Sequence, residues 1–169
     1  MGPVYAEAEI DAPREEIFEY LLDYLTRPVL FGDSASDFRM LQLDPRGVGA
    51  GARFRFRRRS AWVSLAITGA ERPSRVSERG STGRGNQTPA GMEWEITETE
   101  GGPSRVKVFY WTEPSGLAAV PDRLTGGAGW YGRLLKRVLA HLREEIEGGR
   151  EEAAPLSVAG GNRFETGIP

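Results

Sequence analysis

The sequence predicts an α+β fold, and three observations carry that prediction. Short segments with two-residue apolar alternation fill the middle of the chain, a long stretch of helical periodicity closes it, and the two do not interleave. Strands in succession followed by a helix make an α+β architecture, not an alternating parallel sheet. With 169 residues the chain fits one domain over 1–148 and a tail over 149–169.

The opening segment alternates, with Val4, Ala6, Ala8 and Ile10 on one side and Tyr5, Glu7, Glu9 and Asp11 on the other. Period two with one apolar face predicts a half-buried strand. Pro13 suits the first turn of a following helix, where its missing N–H has no partner to lose, and Glu15 and Glu16 sit where the helix dipole favours anions. Ile17, Phe18, Leu21, Leu22 and Leu25 recur at helical spacing, which predicts a short helix to about Tyr24, broken by Pro28. Val29-Leu30-Phe31 reads equally as a further helical turn or as an apolar lip.

Strands are predicted near 38–44, 52–60, 62–70, 75–81, 89–99 and 104–112. Turn signals separate them: Asp44-Pro45-Arg46-Gly47, Arg72-Pro73-Ser74, Gly83-Arg84-Gly85-Asn86 and Gly101-Gly102-Pro103. In the last pair Met92, Trp94 and Ile96 alternate with glutamates, and Val106, Val108 and Tyr110 alternate with Arg105, Lys107 and Phe109. That is the pattern of adjacent antiparallel strands with one solvated side. After the Gly-rich approach 126–129, the positions Trp130, Tyr131, Leu134, Leu135, Val138, Leu139, Leu142 and Ile146 mark one broad helical stripe ending at Gly148-Gly149. Residues 150–169 show no sustained period and read as a flexible tail.

Composition excludes several classes. The chain has no cysteine and a single histidine, which leaves neither disulfide framework nor thiolate site and makes a transition-metal site improbable; no metal and no cofactor is expected. The net charge of −2 is not that of a dedicated nucleic-acid binder. The start of the chain lacks a basic region followed by an apolar stretch, and no run reaches the length of a membrane span, so a cytoplasmic address is the default. No Gly-Lys-Ser/Thr follows the glycine-rich turns, so they are not phosphate loops.

Four stretches in this order resemble the START / Bet v 1-like superfamily, including the group labelled polyketide cyclase/dehydrase. They are the strand-to-helix passage from Ala8 through Pro13 to Phe18, the turn Gly47-Val48-Gly49-Ala50-Gly51 leading into Arg53-Phe54, the strand-turn-strand 66–76, and Leu139-Ala140-His141-Leu142-Arg143 on the last helix. The resemblance implies a helix-grip fold, a curved antiparallel sheet wrapped around the C-terminal helix with one or two short helices after the first strand. It also implies a cavity for a lipid- or polyketide-like molecule. No catalytic motif is transferred with it.

Following the inward phase of each strand, the expected cavity is lined by Phe54, Phe56, Leu65, Ile67, Met92, Trp94, Val108 and Tyr110, with Leu30 and Phe31 at the entrance and Trp130, Leu134 and Val138 from the helix. Polar groups in the inward phase are more discriminating, because a buried polar group must be paired or must serve a ligand. Arg58, Glu78, Tyr110 and Thr112 fall in that phase, and His141 flanks the helix stripe as the sole unperturbed neutral-pH base. The competing reading is a solid core with charges at strand ends. The arginines at 53, 55, 57, 58 and 59 read as a solvated outer face whose interleaved Phe54 and Phe56 point inward.

Three functions follow from these residues. The first is a carrier or sensor for a hydrophobic or amphipathic small molecule. The second is a polyketide cyclase or dehydratase in the same cavity, with Arg58, Glu78, Tyr110 or His141 supplying acid–base help. The third is a partner module or homodimer that presents Phe109 and Trp111 on the outer sheet.

Overall fold

The computed structural model describes residues 2–57, 62–83, 85, 87–99, 102–113 and 127–148. The chain runs β1 (Val4–Ile10), α1 (Arg14–Leu22), a 3₁₀ turn (Tyr24–Thr26), α2 (Arg27–Phe31), a second 3₁₀ turn (Gly32–Ser34) and β2 (Ala35–Met40). It continues through β3 (Gly51–Phe56), β4 (Trp62–Glu71), β5 (Arg75–Thr82), β6 (Thr88–Glu98), β7 (Ser104–Thr112) and α3 (Gly127–Gly148). The seven strands form one antiparallel sheet in the order β1-β7-β6-β5-β4-β3-β2, curled as the half-barrel of a helix-grip fold with α3 against its inner face.

The connectivity is a meander from β2 to β7, with β1 added beside β7. Period-two patterning therefore aims every second residue at α3. Phe54 and Phe56 on β3, Val63, Leu65 and Ile67 on β4, Met92, Trp94 and Ile96 on β6, and Val106, Val108 and Tyr110 on β7 form one buried cluster with Tyr131, Leu134, Leu135, Val138, Leu139 and Leu142 of α3. Gly80 admits the close approach of two strands: a Cβ there would lie 1.9 Å from the Ser64 carbonyl oxygen of β4.

Several boundaries differ from the sequence reading, each for a local reason. Helix α1 stops at Leu22, because Asp23 is extended and its carboxylate accepts the Leu25 N–H to start a separate 3₁₀ turn. Pro13 is the residue before α1 and not in its first turn. Pro28 breaks nothing; it sits in the first turn of α2, so Val29-Leu30-Phe31 is a helical turn. Strand β2 begins at Ala35, paired with Phe56, and is over by Met40, with Leu41 and Leu43 exposed beyond it. Glycines 127 and 129 belong to α3 itself. The assigned tail, residues 149–169, lies outside the described residues.

Candidate functional site

Glu78 on β5 points inward and is fully buried, between Ile67 of β4 and Met92 of β6 in the register. A carboxylate in that position must be surrounded by donors. Three reach it: the Tyr24 hydroxyl donates to Oε2 at 2.6 Å, and Arg27 Nη2 and Trp94 Nε1 each donate to Oε1 at 2.9 Å. Arg27 is as buried as its partner, and its Nη2 also donates to the Leu21 carbonyl at 2.7 Å, one of the carbonyls left open at the end of α1. The guanidinium lies 4.8 Å from the Tyr24 ring centroid and 5.5 Å from that of Trp94. Burial, and then the Glu78 charge, push the Tyr24 phenol well above the usual tyrosine range. The network ties α1 and α2 to the middle of the sheet.

The ligand-lining candidates divide into two neighbourhoods. Trp94 belongs to the Glu78 network, with Met92 next in line on β6. Phe31, Phe54, Phe56, Tyr110 and Trp130 form a chain of rings. Phe31 is 5.2 Å from Phe54 and 5.7 Å from Phe56, and Phe56 is 6.1 Å from Tyr110 and 5.6 Å from Trp130. Tyr110 stacks on Tyr131 at 4.8 Å. Leu30, Leu65, Ile67, Val108, Leu134 and Val138 are buried with them, at most 3% exposed, whereas Trp130 is only half-buried.

Trp130 marks the mouth of the grip. A pocket of about 250 Å³ opens there between the Gly32–Ser34 turn and α3, lined by Ser34, Trp130, Arg133, Leu134 and Arg137. A wider cleft of about 560 Å³ continues along the helix past Val29, Gly32, Asp33 and His141 to Glu144 and Glu145, sharing Ser34 and Arg137 with the first. His141 Nδ1 lies 2.9 Å from the Leu30 carbonyl at the end of α2, which orients the ring and assigns the proton to Nδ1. Its imidazole packs on Gly32, where φ is +46° and a Cβ would meet Cε1 at 2.7 Å.

The acid–base candidates are not gathered at one place. Glu78 is enclosed by Tyr24, Arg27 and Trp94, Tyr110 is stacked in the aromatic chain, and His141 faces the outer cleft. Thr112 is buried at the end of β7, and Arg58 lies outside the described residues. The arginine that pairs with Glu78 is Arg27, which sequence reasoning missed. The available signal was an arginine set directly before Pro28 and the apolar Val29-Leu30-Phe31, where a charge needs an interior partner.

On the outer face, Phe54 and Phe56 do point inward while Arg53 and Arg55 point out, but an aromatic ring shares that side. Trp62 lies there with the Arg53, Arg55 and Arg39 guanidinium carbons 4.3, 4.2 and 5.9 Å from its ring centroid. Phe109 and Trp111 also face outward, half-buried. The Trp111 indole covers Gly91, where a Cβ would lie 2.3 Å from it, and carries Arg79 at 4.4 Å, while Phe109 leans on Tyr5 at 6.0 Å.

These features define a helix-grip fold, a curled antiparallel sheet closed over a long C-terminal helix. No protein-family model and no curated protein matches the sequence. Solved structures match it across nearly the whole described fold. The KanY protein, solved in solution, is similar at a TM-score of 0.66 with 20% identity, covering 88% of this chain and 100% of its own. Major latex-like protein 151 from Panax ginseng reaches 0.65 with 12% identity over 86% of this chain and 97% of its own. A START superfamily protein from Mycobacterium smegmatis reaches 0.62 with 15% identity over the same shares, 86% and 97%. At these identities the likeness is one of fold. No described helix is long and apolar enough to cross a membrane.

Proposed function

We propose that this protein binds a hydrophobic or amphipathic small molecule through the mouth of the grip, acting as a carrier or sensor. The observation that carries the reading is the pocket lined by Trp130 and Leu134, whose Trp130 ring stands 5.6 Å from Phe56 of the ring chain. Concave, mainly apolar sites with a few polar groups are the usual form of small-molecule pockets, and rigid aromatic walls suit flat or greasy ligands. About 250 Å³ is less than the roughly 300–1,000 Å³ of a drug-sized site, so a full ligand also enters the ring chain as Trp130 and its neighbours part. The cyclase or dehydratase version draws no support from Glu78, because both of its oxygens already accept hydrogen bonds.

Native mass spectrometry of the purified protein, followed by extraction and identification of co-purifying molecules, tests the reading. A stoichiometric apolar adduct, or binding of lipids or fused aromatics lost in Leu134→Trp, is expected. No binding across a library of fatty acids, sterols and polycyclic aromatics would overturn it.

The outward Phe109 and Trp111, with Tyr5 58% exposed beside them, support a second reading as a partner or dimer face. They border a shallow groove of about 430 Å³ with Pro3, Arg79, Glu93 and Glu95. Sedimentation velocity of wild type and Phe109→Ser decides it: a dimer that the substitution dissociates supports this face, and a monomer throughout removes the homodimer.

A further inference from the structure

The geometry points to a carboxylate-headed amphiphile as the ligand, its head received by Arg133 and Arg137 and its apolar body by Trp130 and Leu134. This inference rests on the proposed ligand-binding role and names the class of molecule. Arg133 and Arg137 are four residues apart on α3, so their side chains stand together on one helix face. Both line the 250 Å³ pocket, and neither makes an ion pair with any described residue. Arg39, Arg53 and Arg55 likewise have no carboxylate partner among the described residues but surround the Trp62 ring, whereas several other cations are paired. Arg27, Arg46, Arg75, Arg105 and Arg143 all have carboxylate partners.

The pocket joins two chemistries within one small volume. Arg133, Arg137 and Ser34 give the lining its polar character, while Trp130 and the buried Leu134 supply an apolar side that meets Phe56 through the Trp130 ring. Guanidinium forks match a carboxylate in shape, and hydrogen bonds to an ionised group are roughly twice as strong as neutral ones. The charge along the groove also sets a direction. Glu144 and Glu145 lie at the far end beyond His141, with Asp33 on the turn opposite, so an anionic head is repelled there and drawn to the Trp130 end. A neutral alkane or sterol leaves both arginines unused, and a cationic head meets them at the entrance.

Matched probes separate the head from the tail. Isothermal titration of dodecanoate against dodecanol, and of 2-naphthoate against 2-naphthylmethanol, is carried out on the full chain and on R133Q/R137Q. In the wild type the carboxylate of each pair is expected to bind about tenfold tighter than the alcohol, the value of one charge-assisted hydrogen bond at a partly exposed site. In the double variant that ratio falls to about one, with alcohol affinity unchanged and the melting temperature intact. Equal binding of acid and alcohol by the wild type, or a carboxylate preference that survives the double substitution, overturns the inference and leaves the ligand-binding role standing. Failure of all four probes on folded wild-type protein overturns both.

Discussion

Two polar sites in this molecule use similar side chains to opposite effect. Around Glu78, an arginine, a tyrosine and a tryptophan point their donors at one carboxylate, and both of its oxygens are engaged. At the mouth, two exposed arginines, a serine and a tryptophan line a hollow, and neither arginine has a carboxylate partner among the described residues. The first is buried, where an unmatched charge is too unfavourable to persist, and the second is partly exposed, where water can hold the donors until a ligand replaces it. A buried carboxylate with both oxygens engaged holds a fold together, although Arg27 Nε beside it finds no acceptor among the described residues. Charged donors without a carboxylate partner at a pocket are where recognition is found.

The difference is measurable as a division between stability and binding. Glu78→Ala leaves the Arg27 charge buried without its partner and is expected to lower unfolding free energy by about 3–5 kcal/mol in urea titrations. Arg27→Met with Glu78→Leu should recover much of that loss; strict additivity of the two single losses would show that they are not coupled. Trp94→Phe keeps an aromatic ring but removes the Nε1–H donor to Glu78 together with part of the indole volume, for an expected loss of at least about 1–3 kcal/mol in the same assay.

Tyr24 supplies the pH signature of the Glu78 site. Its pKa is raised in the fold, so the neutral phenol is the favoured form, and its contribution is fully present below the unfolded value of about 10. As pH rises past that value the unfolded chain loses the proton first. Stability should then fall by up to about 1.4 kcal/mol per pH unit until the folded value is reached. Denaturation curves between pH 9 and 11 should fall more steeply in wild type than in Tyr24→Phe, and parallel slopes would remove the Tyr24 assignment. The smallest stability effect is expected at the mouth: R133Q/R137Q should change unfolding free energy by less than about 0.5 kcal/mol. A larger loss would make those arginines part of the structural scaffold and erase the distinction between the two sites.

Much of this was legible in the chain. The alternation of Met92, Trp94 and Ile96 against that of Val106, Val108 and Tyr110 predicted the β6–β7 pairing, and the structure aligns Met92 with Tyr110 and Trp94 with Val108. The stripe from Trp130 to Leu142 predicted the face of α3 that meets the sheet. Glu78 was recognisable as an inward carboxylate, but its partner was not. Arg27 is 51 residues away, at a helix start hidden by reading Pro28 as a terminator. Nor could periodicity reveal that Trp62 stands among Arg39, Arg53 and Arg55, because cross-strand register is not written in any one strand.

The amino-acid order by itself determined which segments become strands or helix and which face of each is apolar, since those depend on neighbours within a few positions. The tertiary structure alone decided which donors meet Glu78, which carbonyl holds His141, and which arginines stand over an open pocket. Those contacts join residues far apart in sequence. Their energies depend on the burial and angle at which the curled sheet brings them together, and no local pattern encodes either.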